Sequence, residues 1–204
     1  MDNIYNIFKN RKPTIIGNFN RASVMLLLTE SNCDPQVIFE VRSMNLSHQP
    51  GDICLPGGKI EKDEFPKDAA IRETMEELNL NREDIDFIGD MDYVVTPFNF
   101  MMFPFVSRLK GDYNIVPNKS EVDHVFKVPL KFFIDTRPDA YELPLVQELD
   151  EKFPYHLIND GKNYKFRKGS VRDYFYRYED YVIWGFTALV LKRFADIVKC
   201  GGKL

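Results

Sequence analysis

Residues 57–80 read GGKIEKDEFPKDAAIRETMEELNL. The spacing G-x5-E-x7-R-E-x-x-E-E sets Arg72, Glu73, Glu76 and Glu77 on one predicted helix, with Glu64 just ahead of it. At ~100° per residue with Ile71 as zero, Met75 falls at about 40° and Leu78 at about 340°, with Thr74 at their edge. That arc is the expected buried stripe. Glu76, Glu73 and Glu77 fall at about 140°, 200° and 240°, so three carboxylates share the opposite arc. Pro66 suits a first helical turn, where no amide donor is needed and its φ is preset. Asn79 suits the end, because a left-handed helix cap takes asparagine most readily after glycine.

Like charges on adjacent turns repel, and i,i+4 glutamate pairs weaken a helix. A hard divalent cation would offset that repulsion: Mg²⁺ takes oxygen ligands and commonly binds through one or two carboxylates plus substrate phosphates. A solvated acidic face is the plainer reading of an arbitrary E-x-x-E-E run. The surrounding residues argue against it. Arg72 lies beside the acidic arc, where it can orient a carboxylate, and Pro56-Gly57-Gly58 supplies a sharp turn free of side chains.

These residues resemble the Nudix box, G-x5-E-x7-R-E-U-x-E-E-x-G-U. Gly58, Glu64, Arg72, Glu73, Glu76 and Glu77 match it at every charged position and at the first glycine. Thr74 replaces an aliphatic residue and Asn79 replaces glycine, and neither change removes chemistry. Upstream, Ile38 to Ser43, then Gly51 and Leu55-Pro56-Gly57-Gly58, resemble the L-L-T-x-R-S-x3-R-x3-G-x3-F-P-G-G signature of coenzyme A diphosphatases. Arg42, Ser43, Gly51 and Pro-Gly-Gly agree with that signature. Glu40 replaces threonine, Ser47 replaces the second arginine and Leu55 replaces phenylalanine. A basic residue suits the 3′-phosphate of coenzyme A, so Ser47 opens the choice of nucleotide. Val95-Thr96-Pro97, Pro104-Phe105-Val106, Glu121-Val122, Val125 to Leu130 and Tyr178 to Gly185 extend the resemblance, which covers roughly residues 22–195.

The resemblance implies a Nudix fold, a mixed β-sheet between helices, and hydrolysis of a diphosphate bond with Mg²⁺ or Mn²⁺. It implies Glu73 and Glu77 as metal ligands, with Glu76 completing the site or binding a second ion. Candidates for the base that deprotonates water are Glu76, Glu73 and Glu121. Arg72 is expected to orient a carboxylate, and Glu64 to sit at the helix entrance in a structural role. Arg42, Ser43, Gly57 and Gly58 are the expected substrate contacts. His48, His124 and His156 are expected to be surface or packing residues, since metal-activated water needs no histidine. The implied substrate is coenzyme A or a derivative. The alternatives are another nucleoside diphosphate derivative, such as ADP-ribose or a dinucleotide, and a non-catalytic nucleotide sensor.

Composition fits an ordinary enzyme. The chain has 204 residues and 44% hydrophobic content, enough for one domain to bury a sizeable core. A net charge of −4 gives no electrostatic reason to expect nucleic acid as a partner. Cys33, Cys54 and Cys200 are scattered and odd in number, which argues for a reducing, cytoplasmic setting. No run approaches the ~18 apolar residues of a membrane span, and the first residues lack the pattern of a signal peptide. The ending Gly202-Lys203-Leu204 departs from a peroxisomal S-K-L address. A homodimer is an open option.

The whole chain, 1–204, reads as one domain with an N-terminal helical extension at 1–20 and a core at 22–195. Asp2 to Lys9 reads as a short amphipathic helix. Ala22 to Thr29, Gln36 to Arg42, Asp86 to Val95 and Met101 to Leu109 read as strands. Lys110 to Asp123 reads as a charged loop and Pro129 as the opening of a short helix. Tyr155 to Ile158 and Asp173 to Tyr178 are expected to pair as a hairpin, with Trp184 to Val198 as a closing helix. Tyr174, Tyr176, Tyr178 and Tyr181 suit a strand with two packed faces. The irregular alternation favours an α+β fold, an α/β/α sandwich.

Overall fold

The computed structural model describes residues 2–29, 34–111 and 115–202. Cys33, part of the charged loop, and Lys203 with Leu204 lie outside these. In chain order the elements are α1 (Asp2–Lys9), β1 (Asn20–Thr29), β2 (Gln36–Arg42), β3 (Ile53–Cys54), β4 (Gly57–Lys59), α2 (Pro66–Leu78), β5 (Ile85–Asp90), β6 (Val94–Val95), β7 (Phe100–Leu109), β8 (Val122–Pro129), α3 (Leu130–Asp135), β9 (Asp139–Leu145), β10 (Gly169–Tyr178), β11 (Tyr181–Trp184) and α4 (Gly185–Lys199).

An eight-stranded sheet runs β3-β2-β1-β7-β5, with β4 on β1, β6 on β7 and β8 on β2. β1 and β7 are parallel from Asn20↔Phe100 to Thr29↔Leu109, and the other pairings are antiparallel, so the sheet is mixed. Strand alternation sorts β1 between two layers. Met25 and Leu27 join Ile71 and Leu78 of α2 on one face. Leu26 joins Phe133 of α3, Tyr176 of β10 and Leu191 of α4 on the other. The sheet therefore lies between helices, giving the α+β sandwich expected. Among the described residues no helix is long and apolar enough to cross a membrane.

The feature that positions the site is a fork in this sheet. Among the described residues the ladder between β1 and β2 is the single pair Leu28↔Val37. Beyond it β2 pairs with β3 (Glu40↔Cys54) and β1 pairs with β4 (Val24↔Gly57). Residues 53–59 thus cross the gap between the strands, fastened where Met25 N–H donates to the Pro56 carbonyl at 2.7 Å.

Three expectations fail. The strand foreseen over 86–95 splits into β5 and β6, with Asp92 drawn into an ion pair with Arg193 of α4. Val122 to Pro129 forms β8, so the charged loop ends sooner than expected, and β8 pairs along the whole of β2. The hairpin between residues 155–158 and 173–178 does not form. Pro154 turns Tyr155–Leu157 into a 3₁₀ helix, and β10 pairs instead with β9 and β11 as a separate three-stranded sheet. The four tyrosines do lie on strands there, Tyr176 fully buried.

Candidate active site

α2 begins at Pro66 after Phe65 in extended conformation, and it ends at Asn79 with φ 50° and ψ 47°, the left-handed cap. The asparagine does more than a glycine could, because its Nδ2 donates to the Val116 carbonyl at 2.8 Å. Asn118 N–H also donates to the Glu77 carbonyl at 2.8 Å. The loop leading to Glu121 is thereby tied to the end of the acidic helix.

The buried stripe of α2 is turned relative to expectation. Thr74 and Glu77 are buried with Ile71 and Leu78, whereas Met75 is only half-buried. Thr74 closes its hydroxyl onto the Ala70 carbonyl at 2.7 Å, which lets it take a core position. The three carboxylates therefore do not share one solvent-facing arc. Glu77 points into the sheet, the Glu73 side chain is 17% exposed, and that of Glu76 is 56% exposed.

Glu77 is held by the fork. Its Oε2 accepts from Gly57 N–H at 2.8 Å. Gly57 has φ +151°, and a Cβ there would lie 2.2 Å from the Ser23 carbonyl oxygen, so only glycine lets the 53–59 segment press against β1. A Cβ on Gly58 would meet the Glu73 carboxyl carbon at 2.5 Å. The two glycines thus seat one carboxylate each.

Arg72 gathers the rest. Its Nε and Nη2 donate to Glu64 at 2.9 and 3.1 Å, its Nη1 to Glu73 at 2.9 Å and Glu76 at 3.2 Å, and its Nη2 also to the Lys59 carbonyl at 3.2 Å. Glu64 also accepts from Glu61 N–H at 2.8 Å. It serves Arg72 and the turn before the helix rather than the helix dipole. Its bonds to Arg72 hold the Glu64 carboxyl below its usual range.

Around Glu77 the balance reverses. Burial pushes its carboxyl up to about 7, with the charges of Glu73 and Glu121 adding to the effect and the Gly57 N–H opposing it. Burial also raises Glu73, against the pull of Arg72. Glu40, which stands where the coenzyme A diphosphatase signature has threonine, is 1% exposed and lies in carboxyl contact with Glu77. Burial and then the Glu77 charge raise its carboxyl well above the usual range. Sequence reasoning missed this residue. The signal was the alternation of β2, which puts Glu40 on the same face as Ile38.

Glu121 is exposed at the start of β8, and its carbonyl accepts from Ser43 N–H at 2.8 Å. Its charge acts on Glu40, Glu73 and Glu77. Arg42 and Ser43 follow Glu40 at the end of β2, and Gly51 N–H returns to the Arg42 carbonyl at 3.1 Å. Ser47 is exposed in the intervening turn. His124 sits between Asp123, at 2.6 Å, and the Tyr181 hydroxyl, at 3.3 Å. His48 is exposed and His156 lies in the 3₁₀ helix at 155–157.

The donor set suits a hard cation: carboxylate oxygens of Glu73 and Glu77 beside the side-chain-free backbone of Gly57 and Gly58, and a Glu40 Oε1 that is buried without a hydrogen-bond partner. Among the described residues no three His, Cys, Asp or Glu side chains are already gathered as a ligand cage. Glu73 is engaged with Arg72 and Glu77 with Gly57.

Comparison with known proteins agrees with this geometry. The NUDIX domain profile matches residues 19–176. "Nudix hydrolase 15, mitochondrial" of Arabidopsis thaliana is 32% identical over 183 residues, covering 87% of this chain and 58% of that protein. "Peroxisomal coenzyme A diphosphatase NUDT7" of Mus musculus is 30% identical over 140 residues, covering 68% of this chain and 58% of that protein. The chain thus spans a little more than half the length of these relatives. A MutT/nudix family protein from Enterococcus faecalis shares the fold with a TM-score of 0.53 at 13% identity, over 98% of this chain and 70% of that one. On the match to its profile, together with the box residues seated at the sheet fork, this chain belongs to the NUDIX domain family.

Proposed function

We propose that the chain is a metal-dependent diphosphatase that hydrolyses coenzyme A or its derivatives to 3′,5′-ADP and 4′-phosphopantetheine. The observation that carries this reading is the meeting of Glu73 and Glu77 with Gly58 and Gly57 at the fork, close to the Arg42-Ser43 end of β2. Two relatives named as coenzyme A diphosphatases, from mouse and Caenorhabditis elegans, are each 30% identical over their aligned regions, which supports the substrate class.

In this reading Glu73 and Glu77 hold Mg²⁺ or Mn²⁺, with Glu76 as the further carboxylate of the box. A bound cation supplies positive charge against the diphosphate oxygens. Arg72 keeps Glu73 oriented and balances Glu64 and Glu76. Gly57 and Gly58 leave the backbone open to a phosphate. Arg42 and Ser43 face the nucleotide, Arg42 with its charge toward a phosphate. The attacking water gives its proton to a carboxylate, for which Glu73, Glu76 and Glu121 are the candidates. The catalytic unit is one domain, its core at 22–195 and a helical extension at 1–20. The partner is a small nucleotide rather than nucleic acid or membrane, and the setting is cytoplasmic.

Ser47, exposed where the pattern has a second arginine, favours a second reading in which ADP-ribose or a dinucleotide is preferred. A substrate panel incubated with Mg²⁺ or Mn²⁺, its products separated by chromatography, tests the two. Coenzyme A should turn over fastest; equal or faster turnover of ADP-ribose would overturn the coenzyme A assignment. A nucleotide that binds while Glu77→Gln leaves every rate unchanged would point to a non-catalytic sensor.

A further inference from the structure

The acidic helix meets a carboxylate from the sheet. Residues of β2 alternate, Val37 and Phe39 entering the layer of α3 and α4 while Ile38 lies under α2, so Glu40 shares the α2 side. The charge of Arg42 reaches it and the Glu77 carboxyl lies in contact with it, but donors to its two oxygens are few. Oε2 receives only the Cys54 thiol, at a sulfur–oxygen distance of 4.0 Å, and Oε1 receives no donor. The neighbouring carboxylate, Glu77, already takes the Gly57 N–H. An oxygen this deeply buried without a donor calls for a positively charged or protic partner.

We propose that Glu40 is an additional ligand of the divalent cation, reaching it from β2 on the face of the sheet that α2 covers. This rests on the metal-dependent reading above. A threonine at this position would present one hydroxyl close to the strand, whereas glutamate extends a carboxylate across the fork to Glu77. Cation capture in this chain then draws on β2 as well as on the helix, and it is tighter than Glu73 and Glu77 alone would make it.

The test is Mn²⁺ binding to the intact chain without substrate, followed by the loss of the free-ion electron paramagnetic resonance signal. Circular dichroism establishes that each variant is folded. Glu40→Gln should weaken Mn²⁺ affinity by about tenfold or more, and Glu40→Thr by a similar factor. The second variant guards against a folding defect particular to the first. Glu77→Gln is the reference, with at least as large a loss. If folded Glu40→Gln and Glu40→Thr bind Mn²⁺ within about twofold of the parent while Glu77→Gln does not, Glu40 is no ligand and the metal-dependent reading survives. If Glu77→Gln also binds as the parent does, both fall.

Discussion

Phe39 and Glu40 are neighbours on β2 and enter opposite halves of the molecule. Phe39 stacks on Phe126 with ring centroids 5.2 Å apart and tilts onto Phe133 at 5.7 Å, in a layer completed by Tyr176 and Leu191. Glu40 enters the other half, where Ile38, Leu78 and Ile71 pack around carboxylates. Both faces are buried, but only one is built for stability alone. Burying an unpaired carboxylate costs free energy, while aromatic packing gains it. The α2 face is therefore the one whose composition needs a ligand to make sense, and the α3/α4 face is an apolar layer packed against the same sheet.

The sharpest way to break this contrast is Gly57→Ala. The added Cβ would collide with the Ser23 carbonyl and force a residue with a side chain to φ +151°. The loss should exceed about 4 kcal/mol in denaturant unfolding, or prevent folding altogether. Next comes Phe133→Ala, which should cost about 3–5 kcal/mol by the same measurement. Its folded fraction should bind Mn²⁺ as the parent does, since the cut falls on the layer remote from the carboxylates.

A pH series with chelator separates the faces by sign. Glu77 has a folded pKa raised from 4.5 to about 7. Its contribution is full below pH ~4.5 and is lost as pH rises through about 7. The cation-free chain should therefore lose on the order of 3 kcal/mol across that window, and Mn²⁺ should restore more of it at pH 8 than at pH 5. Melting temperatures with and without the ion follow this directly, and equal stabilisation at both pH values would contradict a titrating cation site. The smallest effect expected is for Arg72→Lys. A point charge cannot reproduce the forked contacts to Glu64, Glu73 and Glu76, yet the pairs are partly exposed. The melt should fall by the equivalent of about 1 kcal/mol.

Much of this was legible in local pattern. Pro66, the 3.6-residue period and Asn79 set the helix within its observed bounds, and the apolar runs of β1, β2 and β7 were strand-like on their own. The phase of the helix was not legible. Hydropathy puts Met75 inside and Glu77 outside, whereas Glu77 is buried and Met75 only half-buried, because the fork supplies Gly57 N–H to a buried carboxylate, a tertiary circumstance that no helical wheel contains. β9 escaped notice for a related reason. Asp139–Leu145 is exposed along almost its whole length and includes Pro144, so its identity as a strand rests on its ladder to β10. At the site, the box residues were readable because Arg72, Glu73, Glu76 and Glu77 share one helix and Gly58 and Glu64 precede it at a fixed spacing. Glu40 and the tether from Asn79 to Val116 depend on which strand face meets α2 and on where a distant loop returns.

The most direct measurement is the rate at which coenzyme A is converted to 3′,5′-ADP and 4′-phosphopantetheine in Mn²⁺, comparing the parent chain with Glu77→Gln under chromatographic separation. Glutamine can still accept the Gly57 N–H, so the fold should persist with an undiminished melting temperature while the rate drops roughly 10²–10³-fold. A folded Glu77→Gln protein that produces 3′,5′-ADP at the parent rate would contradict the assignment of this carboxylate to the catalytic cation.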